Sequence, residues 1–206
     1  MTTLNRRHIL LAGTALAAGA MFSAPAFAVD AAELNAPPAL GEMALGADEG
    51  AKVTIIEYAS ATCPHCAAFH KDVYKKLKAE YIDTKKIRFI FREFPLNDAA
   101  LAAFMIARAA PKEAYFPLMD IYFETLETWA QSPAKGLLDI AKQAGFTQEK
   151  FDATLKDEAL AKGIMAIRDG GSKFGVSGTP SFFVNGEKYE GDNTFEAFKA
   201  KIDPLL

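Results

Sequence analysis

The sequence predicts an α/β protein, a central β-sheet flanked by helices and carrying an α-helical insertion. Three observations carry that expectation. Two continuous β-branched and aromatic runs, 53–59 and 87–94, bracket an amphipathic helical pattern. The stretch from 97 to about 174 contains no convincing strand. Beyond it, Asn185-Gly186 sits between two strand-like segments and is followed by a last helical pattern.

The chain opens with the pattern of a cleaved export signal. Arg6 and Arg7 form a charged start, Ile9 to Phe22 is an Ala-rich apolar stretch, and Ala26-Phe27-Ala28 is a small-x-small cleavage site. That apolar run is short, is broken by Gly13 and Gly19, and is followed by no stop-transfer pattern, so stable membrane insertion is not expected. Paired arginines suit both the general secretory and the twin-arginine routes, and both stay open. Cleavage near Ala28 leaves 21 basic and 26 acidic residues, a net charge of −5. Without a cationic surplus, nucleic acid and anionic membranes are not expected partners. The periplasm is the expected location.

Residues 29–52, rich in Ala, Pro and Gly, predict a leader with a short edge strand near Met43-Ala44-Leu45. The main domain is expected over 53–206. Val53 to Ala59 has the continuous apolar pattern of a strand buried on both faces. From Ala67 to about Ile82, Phe69, Val73, Leu77 and Tyr81 recur every four residues and predict an amphipathic helix. Ile87 to Phe94 predicts a second strand, closed by Pro95.

The insertion, about 97–174, predicts helices over 98–110, after Ser132-Pro133, over 148–156 and over 158–172. Asn185-Gly186 joins Ser181–Val184 to a strand over 188–191, because both turn residues tolerate positive φ. A final helix, capped by Asn193 or Thr194, runs through Phe195, Phe198 and Ile202. The Arg92-Glu93 pair is expected to decorate a solvent-facing strand position. Trp129 and the phenylalanines are expected in the core.

The chain has two cysteines, Cys63 and Cys66, within Cys63-Pro64-His65-Cys66. So short a loop removes little chain entropy, so the pair offers chemistry more than bracing. Between a buried strand and a helix, Cys63 takes the helix N-terminus, where unpaired N–H groups and the macrodipole favour a thiolate. Cys66, one turn on, is expected to be more buried and to act as the resolving thiol. A helix dipole contributes about one pKa unit, and a strongly acidic thiol needs more. Pro64 fixes φ for the first turn, and His65 offers positive charge or a hydrogen bond beside the thiolate.

Two bland readings compete. Zinc held by Cys63, Cys66 and His65 or His70 lacks a second cysteine pair to complete a tetrahedral site, and an inert disulfide leaves the motif unexplained. Glu57 interrupts an apolar strand six residues before Cys63. It is expected either to relay the Cys66 proton or to reach solvent at the strand edge. His70, four residues after Cys66, is expected either to line the site or, as the preferred reading, to be an ordinary helix-face residue.

The Cys-Pro-His-Cys motif after an apolar strand, the acid six residues upstream, the helical insertion and the late Gly178-Thr179-Pro180 before a hairpin together resemble DsbA-type proteins of the thioredoxin superfamily. The resemblance implies a thioredoxin-like fold with a helical insertion and an oxidising disulfide. It implies that Cys63 is the nucleophile, that Cys66 resolves, and that Pro180 is a cis-proline beside the disulfide, with the backbone at Thr179 free to pair with substrate. No cofactor is implied beyond the redox-active Cys63–Cys66 disulfide.

The implied partners are exported proteins with cysteine pairs and a DsbB-like membrane oxidase, and the implied state is a monomer. Thr179 is ambiguous. Family oxidases often carry Val there, whereas Thr is shared with disulfide isomerases and some other DsbA relatives. A reductase or isomerase is therefore a rival reading, and a peptide-binding holdase chaperone is another of a different class.

Overall fold

The computed structural model describes residues 31–206. The predicted signal, residues 1–28, lies outside the described residues. Five strands, β1 (Met43–Gly46), β2 (Thr54–Ala59), β3 (Arg88–Glu93), β4 (Ser181–Val184) and β5 (Glu187–Tyr189), form one sheet in the order β1-β3-β2-β4-β5. β2 and β3 run parallel and every other pair is antiparallel. β2 is central, so its apolar run has no solvent face, as the continuous pattern requires.

The connection between β2 and β3 is a helical stretch over 64–82, here α2. It alternates α segments (Pro64–Phe69, Lys75–Leu77) with wide π turns (His70–Tyr74, Lys78–Ile82). A four-residue apolar step drifts by about 40° per step on a regular α-helix. Wide turns absorb that drift, and Phe69, Val73, Leu77 and Tyr81 all stay buried. The exact fourfold spacing thus encoded an irregular helix.

Before the sheet lies α1 (Ala31–Asn35). Between β3 and β4 come α3 (Asp98–Ala109), α4 (Tyr115–Glu124), α5 (Leu126–Trp129), α6 (Pro133–Gln143), α7 (Gln148–Leu155) and α8 (Glu158–Lys173), and α9 (Phe195–Ile202) closes the chain. Local signals set several starts. Asn97, Thr147, Asp157 and Thr194 each accept a hydrogen bond from an N–H of the first turn. Asn185 (φ 50°) and Gly186 (φ 86°) form the expected turn.

α4 and α5 carry no sequence signal that foretold them. Pro117 is the third residue of α4, where an N–H has no intrahelical acceptor, so proline is tolerated rather than disruptive.

The alternation of strand residues divides the core in two. Ile55, Ala59, Phe89 and Phe91 face α2 and the helices α3 to α6, while Ile56, Tyr58, Ile90 and Phe94 face α8. α8 lies so close that a Cβ on Gly171 would stand 2.7 Å from the Tyr58 ring.

Arg92 and Glu93 are not solvent-facing: they are 4% and 0% exposed. β3 is central and covered on both faces, so two consecutive charges are both buried and both need partners. Arg92 donates to Glu42 (3.2 Å), to the Tyr58 hydroxyl (3.3 Å) and to the Ala36 carbonyl (3.1 Å). Glu93 accepts from Arg108 Nε (2.6 Å) and Nη2 (2.9 Å) and from Tyr115 (2.7 Å). Through Arg92, and through Arg108 on Leu40 and Gly41 carbonyls (both 2.9 Å), the leader is tied to the body.

Candidate active site

β2 ends at Ala59, and the chain turns so that the Cys63 N–H donates to the Ser60 carbonyl (3.1 Å). Cys63 is then the N-cap of α2, extended at φ −88° and ψ 118°, with Pro64 in the first turn. The helix thus begins three residues before the apolar period does, because Pro64 supplies the φ of a first turn and needs no N–H acceptor. Cys63 Sγ accepts from the Cys66 N–H at 3.5 Å, and both cysteines are free thiols.

The two thiols are driven apart. Cys63 is lowered to about 5, chiefly by a hydrogen bond from the Cys66 thiol. Burial opposes this, and the Cys66 and His65 backbone N–H groups assist. Cys66, with no exposed surface, is pushed far up by burial first, then by donating to Cys63, and by the Glu57 charge. A dipole alone is worth about one unit, so specific hydrogen bonds acidify Cys63. His65 contributes through its backbone N–H, and its side chain is exposed on the surface.

The other wall comes from the segment before β4. Thr179–Pro180 is a cis peptide. The Cys63 thiol donates to the Thr179 carbonyl at 3.2 Å across 116 residues of sequence. Thr179 Oγ1 is buried without a hydrogen-bond partner. β4 is hydrogen-bonded to β2, pairing Tyr58 with Ser181, which is why so distant a segment abuts the motif.

Beneath the cysteines, Glu57 has no exposed surface and does not reach solvent. His70 Nε2 lies 2.9 Å from its Oε2 and 3.2 Å from its Oε1. His70 therefore does not sit on an outer helix face: it is 5% exposed and stacks on Phe123 at 4.2 Å. The sequence contained one signal for it. His70 is one turn beyond Cys66 on the helix that packs over β2, so it follows the buried side of that helix. Among the described residues, no group of three or more His, Cys, Asp or Glu is placed to hold a metal.

Cys63, Pro64, His65, Cys66, Thr179 and Pro180 therefore meet at one end of β2, with Glu57 below them. An acidic thiol that keeps a sliver of exposure (5%) beside a fully enclosed, strongly basic one is suited to thiol–disulfide exchange: one sulfur attacks or is attacked, and the other closes or leaves.

Comparison with known proteins agrees. The family profile described as Thioredoxin matches residues 39–204. A Rickettsia bellii protein assigned as a protein-disulfide oxidoreductase is 35% identical over 169 residues, 80% of this chain. The alignment spans 64% of that relative's length. The crystal structure of α-DsbA1 from Wolbachia pipientis is 31% identical, with a TM-score of 0.75 over 84% of this chain and 94% of that one. Oxidised BdbD from Bacillus subtilis shares the fold, with a TM-score of 0.70 at 22% identity over 82% and 95% of the two chains. The chain belongs to the thioredoxin family, in its DsbA-type branch of thiol–disulfide oxidoreductases.

Proposed function

We propose that this chain is an exported disulfide donor that oxidises cysteine pairs in newly exported proteins in the periplasm. The observation that carries the reading is the split between the two thiols, with Cys63 held at about 5 and Cys66 pushed far above the ordinary range. A thiolate stabilised at working pH stabilises the reduced protein and makes the disulfide a better oxidant, by about 30 mV per unit of depression below that pH. At pH 7 the Cys63 value corresponds to a contribution of about 60 mV.

A substrate thiolate attacks Cys63 of the Cys63–Cys66 disulfide, forming a mixed disulfide, and the Cys66 sulfur leaves with the electron pair and takes a proton. The second substrate thiolate then attacks the substrate sulfur of that bond. Cys63 leaves as a thiolate, the substrate carries the disulfide, and the protein is left reduced. Reoxidation falls to a DsbB-like membrane oxidase, and the protein acts as a monomer. Exposed Pro64 and His65 flank the attacked sulfur, and the Thr179 and Pro180 segment offers the adjoining backbone to an extended substrate.

A Cys66→Ala variant expressed in the periplasm should trap mixed disulfides on Cys63, and the trapped proteins should be exported ones with paired cysteines. An empty trap rejects an exchange role. Thr179 favours a second reading, a reductase or isomerase using the same sulfurs. The in-cell state decides between them: a pool that is mostly disulfide supports the donor, and a pool that is mostly dithiol supports the rival.

A further inference from the structure

The exchange chemistry leaves a buried group directly beneath it unused. His70 Nε2 is bound to Glu57, but its Nδ1 is buried and has no hydrogen-bond partner. The ring is clamped between Phe123 (centroids 4.2 Å) and Tyr74 (4.5 Å). Asp120 lies three residues before Phe123 on α4 and so shares its helix side. The Asp120 carboxyl is pushed up by burial, and His70 is the strongest influence opposing that push. Asp120 also lines a groove of about 490 Å³ with Met43, Lys78 and Phe116, far more room than a water needs.

We propose that Glu57, His70 and Asp120 form a proton path between the buried Cys66 sulfur and the groove walled by β1, α2 and α4. His70 is the positioning residue whose two nitrogens link the ends. The inference rests on thiol–disulfide exchange at Cys63 and Cys66, in either direction. When a substrate thiolate forms its bond to Cys63, the Cys63–Cys66 bond breaks and Cys66 leaves with the electron pair. A thiol of such high pKa is a poor leaving group unless protonated as it departs.

Glu57 supplies that proton, Nε2 of His70 restores it to Glu57, and Nδ1 takes its replacement through Asp120 and groove water. On closure of the disulfide the same proton returns outward. The titratable groups facing His70 are Glu57 from β2, Asp120 from α4, and Cys66 and Tyr74 from its own helix. Burial pushes the Tyr74 phenol well above its usual range, so it stays neutral. Lys75, Lys78 and Glu124 complete the charge around Asp120.

The test is single-turnover reaction of the oxidised protein with a single-cysteine peptide, following release of Cys66 as a free thiol from pH 5 to 8. His70→Phe keeps the stacking and removes both nitrogens. His70→Gln keeps a donor to Glu57 but cannot pass a proton. Both should slow release by about tenfold and flatten its pH profile, short of the larger factors seen for direct acid–base groups. Asp120→Asn should slow it a few-fold, and alkylation of Cys63 in the reduced variants should keep its midpoint near pH 5.

A His70→Gln protein with the wild-type rate and profile overturns the path, as does an Asp120→Asn protein unchanged at every pH if the His70 variants fail to fold. Failure of the functional reading looks different. A wild-type protein that exchanges with the peptide in vitro but traps no exported protein in cells overturns that reading and leaves the path standing.

Discussion

Glu57 and Glu93 are both fully buried carboxylates on neighbouring central strands, facing the same side of the sheet, yet they are satisfied in different ways. Glu93 receives two bonds from Arg108 and one from Tyr115. A guanidinium cannot lose its charge in a protein, so that site is a fixed clamp joining the sheet, the insertion and the leader. Glu57 has a histidine, whose ring nitrogens can each bind or release a proton, and that histidine keeps a spare nitrogen. One carboxylate is locked in an ion pair with a permanently charged partner, and the other is bonded to a partner that can itself take up or give up a proton. Burial alone therefore says little about a charged group's role. The partner's chemistry decides it.

The largest effect expected falls on the site above Glu57. Cys63→Ser should abolish exchange with a cysteine peptide while leaving the urea unfolding midpoint of the protein near that of the dithiol form at pH 4. The pH matters because the Cys63 thiol is depressed to about 5 from an ordinary value of about 8.5. A depressed group contributes stability above its unfolded pKa and loses it as pH falls through the folded one. Reduced wild type should thus exceed the variant in stability at pH 8 and lose that margin through pH 5. A margin that grows on acidification would contradict the acidic thiol.

On the clamp, Arg108→Met should cost about 3–5 kcal/mol in urea unfolding, because Glu93 is left buried without its ion partner. The folded fraction should retain its exchange rate. Tyr115→Phe at the same carboxylate should cost less, about 1.5–3 kcal/mol, the worth of one hydrogen bond to a charged group. If either variant altered the pH profile of exchange, Glu93 would not be a passive clamp.

The smallest stability effect is expected at Glu57→Gln, below about 1 kcal/mol, since the amide keeps the shape and a bond to His70 while removing a buried charge. Its signature is chemical. The Glu57 charge is one of the influences raising Cys66, so thiol titration in a Cys63→Ala background should find Cys66 lower in the Gln variant. An unchanged Cys66 would separate Glu57 from the pair.

Much of the architecture and the cysteine site was legible because its signals are local. Strand runs, caps such as Thr147 and Thr194, the Asn185-Gly186 turn, and a cysteine pair at a strand-to-helix junction each act within a few residues. Glu57 stood out because a lone acid in a β2-like run has nowhere to go. Arg92 and Glu93 misled because two adjacent charges look like a wet edge, and only the covering of β3 on both faces shows otherwise.

The sequence by itself determined the strands, most of the helices, their order and the reactive pair, since hydrophobic period, capping and the strand-helix junction are properties of neighbouring residues. Only the tertiary structure decided which partners the buried groups received. Glu57 meets His70 across 13 residues and Cys63 meets Thr179 across 116. Such pairings follow from how the sheet and helices stack, and a chain read in order contains no distance between them.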